Sequence, residues 1–212
     1  MTNYQYKITW RDSVAETLGL RQRNHPELRI NAGASRLLPD AQAFLDFVVR
    51  YMEQANVRIK SGETLAYGYW LTKFEQTQDD CLEVWEHNAN STKFIEGGML
   101  ALTYWRDQHD FCEKVGARFD PPRADKKAAI SLGVYEGDAV EAVRYPSPEH
   151  MSGWWLTTDR YSGDIKSLQV VHLYHVTAAR PELARYLALP NGWRFTSDGQ
   201  AWFDEQVAKE PA

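Results

Sequence analysis

The chain has 212 residues, 43% hydrophobic and 25% charged, close to globular averages, so wholesale disorder is excluded. That length suits one large domain or two small joined ones, with a core that needs no staples. A net charge of −5 disfavours nucleic acid as the main ligand, because neutralising phosphates needs a basic face.

An acidic surface still leaves room for a basic protein partner, which it would steer. The charge is uneven: residues 1–60 carry +3, residues 61–120 carry −6 and residues 121–212 carry −2. There is no apolar run of about 18 residues, the length a membrane-spanning helix requires. The opening Met-Thr-Asn-Tyr-Gln-Tyr-Lys lacks the basic-then-apolar order of a secretory signal, so the expected location is the cytoplasm. Cys81 and Cys112 show no C-x-x-C spacing and read as buried thiols rather than a disulfide. Aromatic residues reach 13%, a content that serves cores, interfaces and sugar platforms alike.

In chain order, residues 4–10 alternate aromatic or β-branched with polar side chains and predict a strand. The following stretch, through Asn31-Ala32-Gly33, reads mostly as loop. Pro39-Asp40 opens the clearest helix, with Phe44, Phe47, Val48, Tyr51, Met52 and Ala55 at helical spacing and Gly62 as its end. Residues 65–72 predict one strand and residues 81–86 its return, around the polar turn 76–80. Residues 94–115 predict a second helix, with Met99, Leu102, Trp105, His109 and Cys112 on one stripe and Gly116 as C-cap.

Pro121-Pro122 marks the best internal boundary, since consecutive prolines stop helix and sheet. Beyond it, residues 128–134 and 139–144 predict a hairpin about Glu136-Gly137-Asp138. Residues 152–158 and 168–174 predict strands, and residues 182–189 a short helix behind Pro181. Residues 192–195 predict a last strand, and residues 197–209 a closing helix capped by Ser197 or Asp198. Strands and helices mix without strict βα alternation. The fold class is α+β, with a mixed or antiparallel sheet packed with several helices.

P-loop, G-x-G-x-x-G, G-x-S-x-G and H-E-x-x-H signatures are absent. Glu96-Gly97-Gly98 suits close backbone packing better than anion binding. His172 and His175, with His150 upstream, point to opposite faces if in one strand. Across a strand-to-loop break they could share a metal, but no Cys or carboxylate lies at ligand spacing nearby, so no metal site is expected, and His109 reads as a core residue. Glu86 and the pair Asp79-Asp80 are the carboxylates a glycosidase reading would use, without evidence of proximity. In Trp154-Trp155, adjacent strand positions face opposite sides. Packing of both rings under helices is the favoured reading, and a partner-facing or ligand-facing ring the alternative.

One string carries more. Tyr145-Pro146-Ser147-Pro148-Glu149-His150-Met151-Ser152-Gly153-Trp154-Trp155 precedes Thr157-Thr158-Asp159 and Gly163-Asp164. Then come His172-Leu173-Tyr174-His175-Val176-Thr177, Arg180-Pro181-Glu182-Leu183-Ala184 and Tyr186-Leu187-Ala188-Leu189-Pro190 before Gly192. Over residues 128–195 this resembles immunity protein family 33. The resemblance implies a cytoplasmic immunity protein that occludes one cognate toxin of a bacterial polymorphic-toxin or type VI secretion system. It implies no catalytic residue and no cofactor.

The domains expected are an N-terminal α+β extension, 1–122, and the family-like region, 123–212. The candidate toxin contacts are Glu136 and Asp138 at the hairpin turn with Asp159, Tyr161 and Asp164 in the next loop, an acidic set on exposed turns. Nucleic acid and membrane are not expected partners, and the expected state is a monomer or weak dimer. The rival reading is a carbohydrate-binding module or hydrolase using Trp70, Trp85 or Trp155 as a stacking platform.

Overall fold

The computed structural model describes residues 5–210. The chain forms two compact units, Met1–Arg106 and Asp107–Ala212, each built on a mixed sheet with helices, so the fold is α+β.

The first unit contains β1 (Lys7–Arg11), β2 (Val14–Leu18), β3 (Glu27–Asn31), α1 (Leu38–Ala55), β4 (Thr64–Tyr67), β5 (Trp70–Gln76), β6 (Cys81–His87) and β7 (Phe94–Glu96). Its sheet runs β1-β2-β3-β6-β5-β4, with β7 against β6; only β3 and β6 pair in parallel. Phe44, Leu45, Val48, Val49 and Met52 of α1 are buried in a core with Ala15, Leu28, Ile30, Phe74, Leu82 and Val84. Burying each large side chain contributes about 1.5–3 kcal/mol.

Several sequence expectations change here. Tyr4 lies outside the described residues. The expected loop before Gly33 contains two strands, because Ala15 and Thr17, then Leu28 and Ile30, alternate inward. Helix α1 ends at Asn56 in the left-handed region (φ 52°), before Gly62. The single strand over 65–72 folds back at Gly68-Tyr69, where Gly68 takes φ +59° between the paired Tyr67 and Trp70. The second helix, α2, starts only at Met99, after β7, and runs to Val115; Gly116 follows at φ +68°.

Residues of α2 from Asp107 onward belong to the second unit. It continues with β8 (Lys127–Ile130), β9 (Glu141–Arg144), β10 (Met151–Thr157), β11 (Gln169–His172), α3 (Leu173–Ala179), β12 (Trp193–Thr196), β13 (Ala201–Phe203) and α4 (Glu205–Ala208). The strand order is β11-β8-β10-β9-β12-β13, with β8 and β10 parallel and the other pairs antiparallel.

The predicted hairpin of β8 with β9 is therefore not formed. Strand β10, whose Trp154 and Leu156 are fully buried, takes the place between them. The strand expected over 168–174 stops at His172 and turns into α3, so His172 and His175 do not share a strand. Pro181–Tyr186 is a 3-10 helix. In place of one closing helix there is β13 and then α4, capped by Asp204, whose carboxylate accepts the N–H groups of Gln206 and Val207.

Arg144 ties this unit together from inside. Its guanidinium donates to Ser152 O at 3.0 Å and to Asp120 O and Leu189 O at 2.6 Å each. Three fixed carbonyls satisfy a side chain that burial has stripped of water, and that burial pulls its pKa down to about 10. Asp120, just before the two prolines, is held to the sheet of this unit by the same bonds.

Candidate functional site

Strand β10 sorts its side chains between the two faces of the second sheet. Trp154 is completely buried: its Nε1–H donates to Leu187 O at 3.0 Å and its ring meets Phe195 edge-on at 5.1 Å. Trp155 points the other way and stays partly exposed, with Tyr145 at 5.7 Å. The favoured packing of both rings is thus corrected, since the pleat sends neighbours to opposite faces.

Pairing puts Val170, Ala129, Trp155, Val143, Arg194 and Trp202 in one row across this open face. Ahead of Trp155, Gly153 adopts φ +82° in a break of the β8–β10 register, and a Cβ there would stand 2.2 Å from Tyr145 O. That bulge re-aims the strand beside Tyr145. The result is an open cavity of about 760 Å³ lined by Val143, Tyr145, Trp155, Tyr161, Ile165 and Arg194, with Met151, Gly163 and Glu210 also in its wall.

The wall is mostly apolar with charge along one side. Arg194 pairs with Asp204 at 2.8 Å and Glu141 at 3.5 Å. Burial, and next the Glu210 carboxylate, push the Tyr145 hydroxyl above its ordinary pKa, while Arg194 opposes them, so it remains a neutral donor near pH 7. The open face of the first sheet differs. Its row runs Thr9, Glu16, Arg29, Glu83, Glu75, and Arg29 bridges Glu16 at 3.0 Å and Asp79 at 2.6 Å. The first face is charged and largely paired, whereas the open face of the second sheet holds an aromatic cavity.

Of the five predicted contacts, Tyr161 lines the cavity. Asp164 stands between the lining residues Gly163 and Ile165, and its carboxylate caps the 3-10 turn Ile165–Ser167 by accepting Lys166 N–H at 3.0 Å. Asp159 is exposed on the same loop. Glu136 accepts Gly133 N–H at 2.8 Å, and Asp138 is paired with Arg160 at 2.7 Å. The cavity unites Tyr161 with residues that sequence reasoning passed over: Val143, Tyr145, Ile165, Arg194 and Glu210. Alternation of Val143 in β9 with Tyr145 just past its end was the available signal; the placement of Arg194 and Glu210 beside them is tertiary.

The residues of the rival readings scatter. Trp70 is buried with its Nε1–H on His87 O at 3.0 Å, and Trp85 is half-buried between Lys73 and Glu96. Glu86 is buried, accepting the N–H groups of Leu100 and Ala101. Asp79 is held well below the ordinary carboxylate range by Arg29, and Asp80 sits in the turn at φ 58°. His109 is exposed rather than in the core. With Asp110 and Glu113 it is the one group among the described residues whose donor atoms lie mutually within 4.8 Å, as metal ligands would. All three are exposed on α2, where such clusters are common without an ion.

A bulged Ser-Gly-Trp strand, the buried arginine that donates to its Ser152 carbonyl, and the 3-10 turn that leads to Leu189 and Gly192 make up one compact module. Residues 107–207 match the Imm33-like domain, a family of immunity proteins. The matched span contains the whole second sheet and begins upstream of Pro121-Pro122. The matched span therefore holds the family-like string and every lining residue of the aromatic cavity except Glu210. No curated protein and no solved structure matches the chain. Among the described residues no helix is long and apolar enough to cross a membrane.

Proposed function

We propose that the chain neutralises one cognate bacterial toxin, of the polymorphic-toxin or type VI-delivered kind, by binding it stoichiometrically in the cytoplasm of the producing cell. The observation that carries this reading is the Imm33-like match over residues 107–207. It is supported by the aromatic cavity on the open sheet face of the same unit, a surface of the type that supplies binding anchors. The chain acts by occlusion and not by turnover.

Trp155, Tyr145, Tyr161 and Ile165 are the anchors, and Asp159 and Asp164 supply acidic contacts from the adjoining loop. Glu136 and Asp138 are secondary contacts, since Glu136 is already engaged within its own turn and Asp138 by Arg160 of the loop after β10. Before meeting its toxin the chain is a monomer or weak dimer and engages neither nucleic acid nor membrane. A sugar-stacking role for the half-exposed Trp155 is the second reading.

Co-expression with the product of the neighbouring gene, which the proposal requires to be a toxin, tests it. Growth should recover in proportion to the molar ratio of the two proteins, and the pair should co-purify. Protection at strongly substoichiometric amounts would show turnover and overturn occlusion.

A further inference from the structure

The cavity beside Trp155 is electrically unbalanced. Among its described lining residues Arg194 is the one cation, and Asp204 and Glu141 already hold it, at 2.8 and 3.5 Å. Glu210 adds a further carboxylate to the wall, exposed and outside any ion pair among the described residues. With Arg194 already paired, Glu210 is the carboxylate of the wall left without a cation among the described residues, beside two aromatic rings, 5.7 Å apart, and an isoleucine that is 65% exposed. A neutral or anionic occupant would bury that charge without compensation. A cationic one balances it, and its charge also gains from the faces of Trp155 and Tyr145.

We propose that the toxin element seated in this cavity is cationic and apolar. An aromatic or long aliphatic side chain packs on Trp155 and Tyr145, and an adjacent lysine or arginine meets Glu210. The partner's identity as a toxin rests on the immunity reading above; its chemistry rests on the cavity. An aromatic wall with one carboxylate left without a cation makes Glu210 a specificity residue, rejecting acidic partners as well as attracting basic ones.

Two synthetic peptides probe this, alike except that a central tryptophan is flanked by lysines in one and glutamates in the other. Each is titrated into the full chain while the Trp155 indole N–H and the Gly153 amide are followed by nitrogen-correlated NMR. The lysine peptide should shift these signals and bind at least about tenfold more tightly than the glutamate peptide, a preference that shrinks as salt rises. Glu210→Lys, an exposed substitution, should abolish the preference while leaving the rest of the spectrum dispersed, and Trp155→Ala should weaken both peptides.

Equal affinities, or shifts confined to other residues, would overturn the proposal. So would a chito-oligosaccharide moving the same signals in place of the peptides. So would concentration-dependent broadening of these signals without ligand, which would assign the cavity to a second copy of the chain. The growth assay separates the two claims. Failure of the wild-type chain to rescue defeats the immunity reading, whereas rescue undiminished by Glu210→Lys combined with Trp155→Ala defeats this one alone.

Discussion

Glu86 reaches from β6 to the first turn of α2, accepting Leu100 N–H at 2.9 Å and Ala101 N–H at 2.6 Å. Those bonds and the helix dipole favour its charge. Burial opposes it more strongly and pushes the carboxyl from 4.5 up to about 7. Between those values the folded chain keeps a proton that the unfolded chain has lost, so stability falls as pH rises across the window. It is fully lost only above pH 7, and the total is roughly 3 kcal/mol. Urea unfolding between pH 5 and 8 should show this decline, and Glu86→Gln should flatten it. Parallel curves for the two proteins would mean that Glu86 ionises normally. Asp79 behaves oppositely: its carboxylate is favoured by Arg29, so what it adds is lost on acidification.

At the scale of an element, β10 depends on a residue with no side chain. Gly153 combines φ +82° with a backbone oxygen 2.2 Å from the site of a Cβ, whereas Gly137 has a similar φ of +95° and open space around it. Gly153→Ala must move β9 or β10 and should cost more than about 3 kcal/mol; Gly137→Ala carries only the torsional penalty, about 1 kcal/mol. Denaturant midpoints of the two variants decide it, and equal losses would show that the close approach is absent. Damage at Gly153 should also reach the cavity, because Trp155 follows two residues later.

Across the whole molecule, each unit buries one cysteine, Cys81 in the first and Cys112 in the second, both free. Burial raises both thiols to about 11, so little thiolate exists near neutral pH. A thiol reagent such as DTNB should therefore react slowly with the native protein and release about two equivalents once it is unfolded. Rapid native labelling of either cysteine would reveal local opening of its unit.

Local pattern was enough for much of the chain. Helical spacing marks α1, and alternation marks β6, β10 and β12, because these elements bury one face each and the period of that face is written in neighbouring residues. The Ser-Gly-Trp string and its sequel carried the resemblance that the Imm33-like match over residues 107–207 bears out, without any contact. What the sequence by itself could not determine was which strands pair. The segments on either side of Gly137 look like a hairpin, yet β10 separates them, since pairing follows which strand best fills the core and not which lies nearest in sequence. Likewise the dipeptide Trp154-Trp155 announces two bulky rings, but only the sheet's single covered face decides that Trp154 is core and Trp155 is surface. The cavity joins β9, β10, β12, the loop after β10 and Glu210, with lining residues up to 67 positions apart, so tertiary structure alone could assemble it.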